Sequence, residues 1–398
     1  MGARRRAHGG RDLPRLRRRL PGDAGGDRRA GGGRLPRRWR RGAALRPRPQ
    51  RQPRPRRGPR RRARALAEGE VRAVNQPAGS RSPGRPRVAV SACLAGEPVR
   101  YDGTDRAHPV VRGVLARLFE LVPVCPEAGA GLGVPRPPVE LVGPPHAPRA
   151  LGVADRALDV TEALLGWSEA TAARLDVAGH VLKARSPSCG LARVPIRRSP
   201  RAGLRPAGTG LYAAALRRRR RWLPMVEETA LETAEGLGAF VEAVLARARL
   251  DALLAAPAPE ALAAFAARHR WWLALRSPAR AHEVEALAAR PPGPAALRQL
   301  EAAFMRAVLV RRPTPAREVR LLRRLLALAK PALGPDERRR LAALLAGAGA
   351  DAAARAELRA ALAACFAAHP HPRVAPDDLY LWPDAAMREA ARRVAEAA

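Results

Sequence analysis

Three short apolar runs stand out in the middle of the chain, at residues 88–92, 118–124 and 180–184. Each is too short for a stable helix and ends at a turn rich in Gly, Pro or Cys, so each reads as a buried strand. Between them the period changes. Residues 108–118 read as a helix, and residues 161–177 place Leu164, Leu165, Trp167, Ala172 and Leu175 on or near one helical face. Residues 208–216 read as the start of another helix and residues 222–226 as a fourth strand. Strands alternating with helices predict an α/β fold with a mainly parallel sheet.

From residue 231 onward Ala, Leu and Arg recur with helical spacing. Breaks at Pro257-Ala258-Pro259, Pro291-Pro292-Gly293-Pro294, Pro313-Thr314-Pro315 and Gly334-Pro335 delimit five or six helices, and no repeat of fixed period is present. This half is predicted to be an all-α domain. Residues 1–85 show neither period; they are Arg, Pro and Gly throughout and are predicted to be disordered. The expected organisation is therefore a basic extension (1–85), an α/β domain (86–230) and a helical domain (231–398).

Charge sharpens this division. The chain of 398 residues carries 74 basic and 36 acidic residues, a net +38. Residues 1–87 hold 29 Arg and 5 acids, so 24 of those charges lie there. Three readings of the extension compete: a solvated segment without function, including one translated from upstream of the true start; an arm that binds nucleic-acid phosphates; and an organelle transit peptide. No run of eighteen uncharged apolar residues occurs, which argues against a membrane span. The first thirty residues lack the apolar centre of a secretory signal. Lys is confined to Lys183 and Lys330, which makes Lys183 informative.

The chain has 4 cysteines, too few for a disulfide framework, so a reducing, cytoplasmic compartment is expected. Cys93, Cys125 and Cys189 each lie just past the carboxyl end of a predicted strand. A parallel sheet gathers those ends at one edge, where ligands bind. Separations of 32 and 64 residues can thus collapse into one site. Cys365, on an Ala-rich helix, reads as a core residue.

Three thiolates without a fourth cysteine leave several chemistries open. A [4Fe–4S] cluster would have one iron with an open position. Zinc would need His180 or His108 as a fourth ligand and lacks the usual closely spaced Cys pair. Thiol chemistry without a metal, or three unrelated buried residues, are the remaining readings. Glu127, two residues after Cys125, can act as a general acid or base, or be a loop carboxylate or helix cap. Ser186 and Ser188 flank Pro187 and can donate to a sulfide or a substrate, or simply form a turn. Lys183 can supply a fixed positive charge to an anionic substrate or cluster, or lie on the surface. Arg100, Tyr101 and Asp102 follow Cys93 on a loop that can contact substrate. Arg136 and Glu140 follow a loop with Gly129, Gly131 and Gly133, which lacks the context of a dinucleotide site.

Val88-Ala89-Val90-Ser91-Ala92-Cys93-Leu94-Ala95-Gly96, Val99-Arg100-Tyr101-Asp102-Gly103, Val124-Cys125-Pro126-Glu127, Gly131-Leu132-Gly133-Val134-Pro135-Arg136 and Lys183-Ala184-Arg185-Ser186-Pro187-Ser188-Cys189-Gly190 resemble, in order, the motifs of the thiouracil desulfidase (TudS-like) family. The resemblance implies a [4Fe–4S] cluster on Cys93, Cys125 and Cys189. It implies that the unique iron takes the sulfur of a thiolated uracil, and that water replaces it to give uracil and hydrogen sulfide. It further implies Glu127 and Ser186 as the acidic and hydroxyl catalytic groups. Phe265-Ala266-Ala267-Arg268-His269-Arg270 and Tyr380-Leu381-Trp382-Pro383 resemble a YbgA-like helical domain often fused to this module, with Arg270 where that family usually has Lys.

Two functions follow. One is a desulfurase acting on a small thiolated compound. The other is a nucleic-acid-binding or sensing protein whose metal or cluster is structural. A structural site should be closed by four ligands, and only three cysteines converge. A tRNA-related substrate, with the basic surface or the helical domain supplying phosphate contacts, is a further expectation.

Overall fold

The computed structural model describes residues 84–199, 201–310 and 312–397. The extension expected to be disordered, residues 1–85, lies outside them but for residues 84 and 85. The strands are β1 (Arg87–Ser91), β2 (Glu120–Val124), β3 (Val139–Val142), β4 (Arg149–Gly152), β5 (Gly179–Leu182), β6 (Val194–Arg197), β7 (Leu204–Gly208) and β8 (Met225–Glu227).

The first sheet has the order β2-β1-β5-β8, and every pairing in it is parallel. β1 is central and almost fully buried, which is why its sequence is a continuous apolar run. Its side chains alternate between two cores. Val88 and Val90 face Leu115, Phe119 and one side of helix α6 (Ala234–Ala255), through Leu237, Phe240, Val241 and Val244. Ala89, with Val122 and Leu182, faces α4 (Thr161–Arg174) and α5 (Leu211–Arg219), through Ala172, Tyr212 and Leu216. Each fully buried aliphatic side chain here contributes about 1.5–3 kcal/mol relative to exposure. α6 approaches β5 closely because Gly179 has no side chain; a Cβ there would stand 2.6 Å from Val244 Cγ2.

The expected parallel α/β sheet is therefore present, with differences of detail. The helix expected over residues 108–118 is a π turn at Val111–Leu115 followed by α2 (Ala116–Leu118). The fourth strand lies at Met225–Glu227, later than the predicted residues 222–226. A second sheet, β4-β3-β6-β7, lies mostly in residues to which the sequence pattern assigned no element, with β3/β4 and β6/β7 antiparallel and β3/β6 parallel.

β1 and β2 lead into short helices, α1 (Ala92–Ala95) and α3 (Pro126–Gly129). Residues 186–190 are fastened to the start of α5. The amides of Leu211 and Tyr212 donate to the carbonyls of Pro187 (3.1 Å) and Ser188 (3.0 Å), and Gly210 N donates to Gly190 O (2.8 Å). Helix-start amides that would otherwise lack partners are thereby satisfied. A Cβ on Gly210 would lie 2.4 Å from Ser188 O. Gly210→Ala is expected to cost about 1–3 kcal/mol by overpacking and to push the Cys189 turn away from α5. A thermal melt checks this; an unchanged Tm would contradict it.

The rest of the chain is helical: α6, then α7 (Pro259–Arg276), α8 (Pro278–Ala288), α9 (Pro294–Val310), α10 (Pro315–Ala329), α11 (Pro335–Gly347), α12 (Ala352–Ala368) and α13 (Ala385–Glu396). The Pro-marked breaks fall where expected, several with Pro opening the next helix. Ala246, Leu250 and Leu253 of α6 join Phe265, Trp272, Phe304 and Leu325 in the largest core. α6 thus covers the sheet with one part and seeds the helical core with another. Among the described residues no helix is long and apolar enough to cross a membrane.

Candidate active site

In the parallel sheet the carboxyl ends of β1, β2 and β5 lie at one edge, and β1 is the strand at which the order reverses. A ligand crevice is expected there. A cavity of about 250 Å³ opens at that edge, and Cys93, Cys125 and Cys189 all line it. The sheet brings together the three thiols that the sequence had singled out. Cys365 is buried in the helical core instead.

Burial governs Cys93 and Cys189. It pushes Cys93 up to about 11; Lys183 and Arg100 pull it down, while Glu228 and Glu127 push it further up. Cys189 is raised well above its ordinary value, first by burial and then by the other two cysteines and Glu127, against a lowering hydrogen bond with Ser91. Cys125 Sγ lies 3.9 Å from Val99 O. Cys93 and Cys189 thus hold their protons until a cation replaces them.

The donor set discriminates between metal groups. Among the described residues no group of three or more His, Cys, Asp or Glu is placed to hold a metal ion. The histidines proposed for zinc are engaged elsewhere or lie off the cavity. His180 is fully buried beside Val181 O and Tyr212 Oη, both at 3.2 Å, and burial lowers it to about 3. His108 does not line the cavity. Three thiols around one cavity, with no fourth cysteine at it, fit a polynuclear iron–sulfur group better than zinc.

Glu127 and Ser186 line the same cavity. Glu127 is held at both oxygens. Arg136 Nε donates to Oε2 at 2.9 Å, with the charged Nη2 paired to the same oxygen at 2.7 Å, and Ser188 Oγ donates to Oε1 at 2.9 Å. Ser186 Oγ accepts from the amides of Ser188 (3.2 Å) and Cys189 (3.1 Å). With its acceptor positions so used, its own proton is available to a ligand. Ser188 is fully buried, does not line the cavity and acts on Glu127.

Lys183 lines the cavity and pairs with Glu228, a buried carboxylate that also accepts from Ala184 N at 2.6 Å. Lys183 N donates to Ser91 Oγ at 2.9 Å, tying the end of β5 to the end of β1. Lys183→Met would strand the Glu228 side chain, only 7% exposed, at a cost of about 3 kcal/mol. Calorimetry checks this as a fall in Tm of several degrees; wild-type stability would contradict it. Arg100 and Tyr101 line the cavity, whereas Asp102 does not. Asp102 is exposed and bonded to Thr104, whose hydroxyl is the main cause of its lowered pKa, with Arg100 alongside.

Sequence reading assigned no role to Arg136, Ser91 or Glu228. Glu228 is buried and charged at the end of the last parallel strand, which is a usable signal. Arg136 meets Glu127 only through folding.

Residues 88–228 match the 2-thiouracil desulfurase family. Among solved structures, a [4Fe-4S]-dependent thiouracil desulfidase, TudS, is similar: 32% identical, with the match covering 37% of this chain and 93% of that one, at a TM-score of 0.31. No curated protein matches the chain.

Proposed function

Since the chain belongs, through residues 88–228, to the 2-thiouracil desulfurase family, we propose that it removes sulfur from a small thiolated nucleobase of the 2-thiouracil kind. The reaction exchanges C=S for C=O: water enters, hydrogen sulfide leaves, and no net electrons are transferred. The observation that carries this reading is the meeting of three thiols, a carboxylate and a serine hydroxyl at one cavity. Held by Cys93, Cys125 and Cys189, a [4Fe–4S] cluster would supply a Lewis-acidic, sulfur-seeking iron that no protein thiolate occupies.

The chain's own residues handle position and protons. Glu127 takes a proton from the entering water and returns it toward the departing sulfur. Ser186 donates a hydrogen bond from its hydroxyl to the substrate, held in place by the amides of Ser188 and Cys189. Lys183 and Arg100 place positive charge at the cavity and favour an anionic form of the substrate. The apolar walls of Ala92, Val99, Val124 and Pro126 limit access by bulk water.

The test is incubation of the anaerobically reconstituted protein with 2-thiouracil, following sulfide release and uracil formation. Equal amounts of both products are expected. Unchanged thiouracil in the presence of protein carrying its full iron would overturn the reading.

A further inference from the structure

Arg136 takes no part in the chemistry above, yet it is the least exposed of the charged side chains lining the cavity, at 5%. Its bonds join three segments. Nε and Nη2 hold Oε2 of Glu127, next to Cys125 in sequence. Nη1 donates to Val99 O at 3.0 Å, on the segment that follows Cys93. The same nitrogen donates to Gly133 O at 2.9 Å, and the backbone amide of Arg136 donates to Tyr101 O at 2.9 Å. The guanidinium is a rigid planar fork, so these bonds hold Oε2 in place, and the Ser188 bond to Oε1 fixes the rotation of the carboxylate.

The bonds also divide the carboxylate's capacity. A carboxylate offers about four lone-pair positions. Arg136 covers Oε2, donating from Nε and placing the Nη2 charge 2.7 Å away, and Ser188 fills one position on Oε1. The oxygen left clear of the guanidinium, with an acceptor position open, is Oε1. We propose that Arg136 is a positioning residue that acts through Glu127. It covers Oε2, and so presents the open position of Oε1 as the one a substrate or water can use. The proposal rests on Glu127 being the group that handles protons in the desulfurisation. A Lys at this position could pair with Oε2 but could not do so while also reaching Val99 and Gly133.

The test is a double-mutant cycle on the iron-reconstituted protein with 2-thiouracil as substrate, comparing wild type, Arg136→Met, Arg136→Lys, Glu127→Gln and the Arg136→Met/Glu127→Gln double variant. Iron content and absorbance are measured for each. Arg136→Met is expected to keep its iron, to lower kcat about 10²-fold and to change KM by less than about threefold, as a misplaced catalytic group does. Arg136→Lys should recover part of that loss. In the Glu127→Gln background, Arg136→Met should cost less than about twofold more, because the group it acts through is already gone.

Losses that multiply in the double variant, with Glu127→Gln itself impaired, would overturn this inference alone. So would a raised KM at unchanged kcat, which would make Arg136 a substrate ligand. Loss of iron in both Arg136 variants, with wild-type activity per remaining cluster, would make it only a staple of the thiol loops. A Glu127→Gln protein with wild-type kcat would overturn the reading of Glu127, and this inference with it. If the Met variant does not fold, the same cycle is run with Arg136→Lys.

Discussion

The Glu127→Gln protein is expected to retain its iron and to lose about 10²–10⁴-fold in kcat on 2-thiouracil. Gln has nearly the same shape as Glu. Its amide oxygen can still accept from Arg136, and the backbone of α3 is unchanged because Pro126 opens that short helix. What Gln cannot do is take up and release a proton. Glu127 lines the cavity beside the three thiols, and among the described residues it is the only carboxylate that does. No neighbouring acid is therefore placed to substitute for it. Steady-state kinetics, with iron analysis of the same samples, checks the expectation. A kcat within about threefold of wild type, at equal iron, would remove Glu127 from the proton-handling role.

The second large effect separates the four cysteines. Cys93→Ser, Cys125→Ser and Cys189→Ser are each expected to lose bound iron and all desulfurisation, whereas Cys365→Ser should lose neither. Two remaining thiolates are a poor substitute for three, and a serine hydroxyl is far less acidic than a thiol. Cys365 is packed in the helical core on α12, with Leu362 and Phe366 nearby in sequence and also buried. Its replacement touches packing alone. Iron analysis after anaerobic reconstitution checks the pattern. Dependence on Cys365, or full iron in any of the other three variants, would contradict the assignment.

The convergence of the thiols was legible because it needs only three short apolar runs and the rule that parallel strands end together. β1, β2 and β5 all obey it. The second sheet was not legible for a physical reason. Its strands read Val-Glu-Leu-Val, Arg-Ala-Leu-Gly, Val-Pro-Ile-Arg and Leu-Arg-Pro-Ala-Gly. They are short, three of the four carry Arg and two carry Pro, and β7 is mostly exposed, so neither a buried run nor a clean alternation results. The helical half was read with too few helices. The missed breaks ahead of α8 and α12 lack paired prolines, but they carry capping signals. Ser277 accepts from Arg280 N ahead of Pro278, and Asp351 accepts from Ala353 N.

At the site, residue types near the cysteines were legible and their partners were not. Ser186 and Ser188 look equivalent in the sequence. The turn at residues 186–190 gives the first to the cavity and the second to Glu127. The bonds from Arg136 to Glu127 and Val99 span 9 and 37 residues and follow no helical or strand period. Glu228 meets Ala184 across 44 residues because β8 lies beside β5. Such contacts follow from strand order, which the apolar pattern did not determine.

The most direct test of the central claim is the metal content of the wild-type protein after anaerobic reconstitution with iron, sulfide and zinc all offered. The account predicts about four irons with matching sulfide per chain and no stoichiometric zinc. One zinc per chain with no iron would contradict it.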